Sequence, residues 1–145
     1  MMNDFGGNNG TDYYITPTRS GFEYFEQYTR NGIKAQFRYD KQTEKIQLIG
    51  MSCYDNGLFA DKCDKGKSSV NLLTGDYIGD WLLYEFNLDK MVKIPIKTKM
   101  DFKTIYLEDF SDDILSDFYI KSDELRYEQK RKIIETNIEK MTRNK

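Results

Sequence analysis

The chain holds 145 residues, a length that fits one domain of ordinary size. Charged residues make up 32% of it and nearly cancel, leaving a net charge of −2, which suits a soluble, balanced surface and argues against a dedicated polyanion binder. There is no histidine, so Ser-His-Asp and Cys-His nucleophiles, imidazole acid–base catalysis near neutral pH and all His-ligated metal sites are excluded.

Residues 1–11, glycine, asparagine and threonine around one phenylalanine, carry no period and read as a flexible leader. The same stretch lacks a basic start and an apolar run, so no signal peptide is expected and the expected location is cytoplasmic. No apolar run approaches the ~20 residues of a membrane-spanning helix, so no membrane partner is expected. Asp12 to Thr16 reads as a short edge strand that Pro17 ends.

Phe22 to Tyr54 is the organising stretch, a three-strand meander. With a two-residue turn at Asn31-Gly32, Phe22, Tyr24 and Tyr28 share a side with Ile33, Ala35, Phe37 and Tyr39. The other side carries Glu23, Gln27, Thr29, Lys34, Gln36 and Arg38. Asn-Gly between alternating runs is the strongest short hairpin signal, since both central residues need positive φ. A rival helix over Ser20–Arg30, with Ser20 and Glu23 at capping-box spacing, is less consistent with the Tyr, Phe and Thr content. The third strand, Ile46 to Tyr54, is apolar on both sides, which predicts a central or covered position.

Residues 55–69 read as a long loop. Gly66-Lys67-Ser68 within it fails the phosphate-loop pattern, because position 61 is Asp where that motif needs Gly. Cys53 and Cys63 read as ordinary thiols, because zinc wants four ligands at tight spacings. A short strand follows at Val70–Leu73, then a glycine turn over 74–79, then strands at Trp81–Asn87, Met91–Lys97 and Phe102–Leu107. Pro95 assigns its strand to an edge or a bulge.

The tail differs in charge. Residues 108–119 carry five acidic and no basic groups, whereas residues 120–145 carry eight basic and five acidic groups. Ser111 and the acids after it suit a helix N-terminus. Ser122-Asp123-Glu124 then opens a second helix whose thin seam of Tyr127, Ile134, Ile138 and Met141 docks on the sheet or pairs with another copy in a homodimer. The expected fold is therefore α+β: an antiparallel meander of five or six strands over 12–110, with one or two helices over 111–145 packed on it.

The missing catalytic residues, the small size and the tyrosine content point to a non-catalytic protein-interaction module without cofactor or metal. An inhibitor, anti-defence or immunity-type factor of an AT-rich bacterium or phage fits the Lys-, Ile-, Asn- and Tyr-rich vocabulary. Its expected contacts are the acidic run Asp109, Asp112, Asp113 and Asp117, with Arg126, Lys130 and Arg131 beside it. The alternative is a nucleic-acid-binding accessory protein that uses the basic C-terminal helix. A metal-dependent hydrolase built on Asp55, Asp61, Asp64 or Asp76 has no recognised spacing behind it.

Overall fold

Alternating side chains give most strands an apolar side, and a single helix covers part of the face they form. The computed structural model describes residues 11–57 and 62–144. Seven strands run in chain order: β1 (Asp12–Pro17), β2 (Gly21–Gln27), β3 (Asn31–Asp40), β4 (Lys45–Asp55), β5 (Lys65–Asn71), β6 (Asp76–Glu85) and β7 (Lys90–Lys99). Each pairs antiparallel with the next, so the sheet order is the chain order. A 3-10 turn at Leu107–Asp109 leads into one helix, α1 (Asp112–Arg143). The fold is α+β, as expected. It has seven strands where five or six were expected, and one helix, within the one or two expected. The predicted leader lies outside the described residues except for Thr11, which is buried.

The β2–β3 hairpin forms, but its turn is not at Asn31-Gly32. Gln27 pairs with Gly32, and the Tyr28 amide donates to the Asn31 carbonyl at 2.8 Å, so Thr29 and Arg30 make the turn. Gly32 serves a different purpose, because a Cβ there would lie 2.6 Å from the Tyr54 ring. The displacement moves the partner of Tyr24 from Tyr39 to Ala35, four residues. An even displacement keeps every side chain on its side, and Phe22, Tyr24, Ile33, Ala35 and Phe37 do share one face.

β4 is apolar on both sides for a specific reason. Gln36 pairs with Gly50 and Phe37 with Leu48, so Ile49 is an extra residue bulged out of the ladder. The bulge reverses the alternation, and Leu48, Met51 and Cys53 all become buried in one core. That core continues through Val70, Tyr77, Leu83, Ile94 and Ile96.

Three further sequence expectations are corrected. The loop predicted over 55–69 is strand from Lys65 onward, and the turn predicted over 74–79 is strand from Asp76 onward. Both segments look unlike strands because glycines make room for Trp81. A Cβ on Gly66 would lie 2.7 Å from the Trp81 ring, and one on Gly79 would lie 3.2 Å from it. The strand predicted at Phe102–Leu107 reduces to one bridge, Gln47 to Tyr106, with the Leu48 amide donating to the Ile105 carbonyl.

The helix lies across β4, β6 and β7. Its buried stripe is Leu115, Phe118, Ser122 and Arg126, a helical spacing that runs unbroken through the predicted break at Ser122. Ser122 caps nothing and is a small residue where helix and sheet approach. Of the predicted seam, Ile134 is half-buried, whereas Tyr127, Ile138 and Met141 are exposed, and so is every residue from Glu135 to Asn144. Pro95 does lie on the edge strand β7, as expected.

Gly66 is held at a φ of +146°, where side-chain-bearing residues are strained, and its missing Cβ faces the Trp81 backbone and ring. Gly66→Ala is expected to destabilise the fold by about 2–4 kcal/mol in urea unfolding, combining overpacking with backbone strain. A loss below about 0.5 kcal/mol, the level of an ordinary surface substitution, would contradict the Trp81 packing described here.

Candidate functional site

β2 places one carboxylate on the buried side of the sheet. Glu26 stands opposite Tyr13 of β1 and Ile33 of β3, on the same face as Phe22 and Tyr24. It is only 8% exposed. The Tyr24 hydroxyl donates to one carboxylate oxygen at 3.2 Å and the Tyr28 hydroxyl to the other, also at 3.2 Å. Both bonds are long for O–H···O contacts, whose usual separation is ~2.7–2.8 Å. A carboxylate has roughly four acceptor positions, so about half of its capacity is taken. Among the described residues, no lysine or arginine pairs with Glu26.

Glu26 lines an open cleft of about 530 Å³ between the β1–β3 end of the sheet and the first turns of α1. Tyr13, Tyr28 and Tyr119 supply aromatic walls, and Asp112 supplies a second carboxylate. No lysine or arginine is among the lining residues. Burial first, then the negative charge of Glu26, pushes Tyr28 up to about 12, and the same causes in the same order push Tyr24 up. Both phenols therefore remain donors across the physiological range. The cleft combines ring faces with acceptors and, among the described residues, no positive charge, which is the chemistry that receives a cation.

The sequence-predicted contact residues are not brought together. Of the acidic run, Asp112 lines the cleft, and Asp117 pairs with Lys121 one helical turn on at 3.2 Å. Asp109 and Asp113 are exposed. Arg126 is 5% exposed, with its guanidinium 4.3 Å above the Trp81 ring and paired with Asp123. It fastens the helix to the sheet and is inaccessible to a partner. Lys130 donates to the Tyr84 carbonyl at 2.7 Å and pairs with Glu85 at 3.4 Å, both half-buried or nearly buried. Arg131 pairs with Glu135 at 3.3 Å and Lys132 with Glu128 at 3.2 Å. The helix's cations are thus largely neutralised by its own side of the molecule.

Glu26 escaped the sequence reading. Its signal was legible: it is the acid that falls on the alternating apolar face with Phe22, Tyr24 and Ile33.

The residues weighed for metal chemistry hold the chain together instead. Asp64 accepts the Tyr84 amide at 2.9 Å and the Tyr127 hydroxyl at 3.1 Å, and Asp55 accepts the Gly57 amide at 2.9 Å. Asp76 pairs with Lys99 at 2.6 Å. Asp61 lies outside the described residues. Among the described residues, no group of three Cys, Asp or Glu is placed to hold a metal ion. Cys53 and Cys63 are both free, and burial pushes the Cys53 thiol up.

Compared with protein families, curated proteins and solved structures, the chain matches none.

The Tyr28 shift has a consequence for stability. The folded state keeps the phenol proton at pH values where the unfolded chain, with its ordinary value of 10.0, has lost it. Its contribution is fully present below pH 10.0 and is lost as the pH rises through about 12. Thermal unfolding between those limits should show a falling midpoint. In the Tyr24→Phe/Tyr28→Phe variant the fall should be shallower. Equal slopes in both proteins would show that Glu26 and its two tyrosines do not interact as described.

Proposed function

We propose that this protein is a non-catalytic binding module whose cleft captures a lysine or arginine side chain of another protein. The observation that carries the reading is Glu26: a carboxylate 8% exposed, held by two long tyrosine bonds, facing an open cleft without a cation. A charge removed from water is costly until it is paired. A guanidinium entering the cleft would take the acceptor positions that the tyrosines leave vacant, in the two-pronged geometry that arginine favours. Tyr13, Tyr28 and Tyr119 would flank it, and each well-placed ring adds about 0.5–2 kcal/mol. Asp112, at the first turn of α1, would steer the cation in.

An inhibitor or immunity-type factor would act through such a contact by occupying a basic residue that its target needs. Asp109 and Asp113 would contribute long-range attraction, with little effect on the contact itself.

Titration with N-acetyl-arginine methylamide, followed by NMR of the tyrosine rings, tests the reading. The expected result is saturable shifts at Tyr13, Tyr28 and Tyr119, with a Kd of the order of 1 mM, about −4 kcal/mol. Glu26→Gln should abolish them, and Asp109→Asn/Asp113→Asn should leave the saturation point within about twofold. Shifts that survive Glu26→Gln, or that vanish with the exposed pair, would refute the cleft as the site.

A further inference from the structure

The helix covers one face of the sheet, and the opposite face of β5–β7 carries its own pattern. Residues whose neighbours in sequence are buried point outward here: Lys65 and Lys67 on β5, Ile78, Asp80 and Leu82 on β6, and Lys93, Pro95 and Lys97 on β7. The register arranges them in rows. Lys65 stands beside Leu82 and Leu82 beside Lys93, Lys67 beside Asp80 and Asp80 beside Pro95, and Ile78 beside Lys97. Four lysines thus surround an apolar centre, with Asp80 among them and Asp76, paired with Lys99, two residues from Ile78 at the rim of the face.

None of the four lysines forms an ion pair among the described residues. The contrast with α1 is direct, where Lys121, Arg126, Lys130, Arg131 and Lys132 each have a carboxylate partner. Four cations without an ion pair thus lie together on this sheet face, whereas on α1 the described cations without one are Lys140 and Arg143 of its last turn. Ile78 and Pro95 are exposed between the lysines, and Tyr54 of β4 lies next to Lys67 in the ladder.

From this geometry we infer that the outer face of β5–β7 binds the backbone of a single-stranded nucleic acid. Lys93 and Lys97 lie ~13 Å apart along β7, and β5 and β7 lie ~10 Å apart, so the cations spread over an area that several consecutive phosphates can cross. A broad sheet face offers no ridge to enter a duplex groove. It suits a strand laid flat, with bases against Ile78, Leu82 and the Tyr54 ring and phosphates toward the lysines. The overall charge of −2 does not oppose this, because Glu26 and Asp112 line the cleft on the helix-covered side of the sheet.

The test is fluorescence anisotropy of a labelled oligothymidylate on the full chain, over a salt series from about 50 to 200 mM. Binding in the range of about 10⁻⁴–10⁻⁶ M is expected, with log K falling against log salt at a slope of about −2.8 for four single-strand contacts. Lys97→Gln should reduce that slope by about 0.7, and Lys65→Gln/Lys67→Gln/Lys93→Gln/Lys97→Gln should lower affinity at least tenfold with an unchanged unfolding midpoint. Arg131→Gln/Lys132→Gln/Lys140→Gln, on the helix, should bind as the parent does. Absence of binding at the lowest salt, binding that survives the fourfold sheet variant, or binding to anionic phosphatidylserine vesicles in place of the oligonucleotide would overturn the inference.

Discussion

Trp81 is the contact on which the rest of this structure depends. It is 2% exposed, and its side chain spans a gap that two glycines on neighbouring backbone positions leave open. Gly66 stands opposite it on β5, and Gly79 precedes it by two residues on the same face of β6. Above it the Arg126 guanidinium carbon lies 4.3 Å from the ring centroid, held by Asp123 one turn earlier in the helix. One aromatic ring therefore joins two strands to the helix. Phe118, 6.5 Å from the Tyr77 ring, repeats the contact two turns earlier on the helix. These anchors fix the first half of α1 on the sheet and leave the segment from Glu135 on without burial.

That anchoring positions both surfaces. By holding the first turns of α1 beside β2 and β3, it forms the wall that closes the cleft around Glu26. By covering only one face, it leaves the outer side of β5–β7 open. The molecule sorts its charge between them: carboxylates and tyrosines at the cleft, unpaired lysines on the sheet. A near-zero net charge conceals this separation, which only the fold reveals.

Much of the sheet was legible in the sequence because its pattern is local. Val92, Ile94 and Ile96 alternate with polar neighbours, Pro95 marks an edge or a bulge, and Asp12–Thr16 reads as a short strand. The β2–β3 faces were also legible, even though the Asn-Gly turn was not used, because an even displacement preserves which side chains share a face. What escaped depended on partners distant in sequence. Lys65–Ser69 has no apolar alternation of its own, since its inward positions are Gly66 and Ser68 and the bulk comes from Trp81. The Ile49 bulge made two apolar sides of one, and Ser122, a capping residue by local chemistry, is buried by the sheet. Of the candidate site, Asp112 was visible as part of an acidic run. Glu26 was hidden among strand residues, and Arg126 looked like a free cation until its burial placed it on Trp81.

The proposed role of Glu26 is to receive a positive charge from outside the chain. A crystal of the protein soaked in guanidinium chloride tests it directly. The expected result is a guanidinium ion in the cleft, with nitrogens within hydrogen-bonding distance of both Glu26 carboxylate oxygens and its plane against a tyrosine ring. An empty cleft, with ions bound only at Asp109 or Asp113 on the surface, would contradict it.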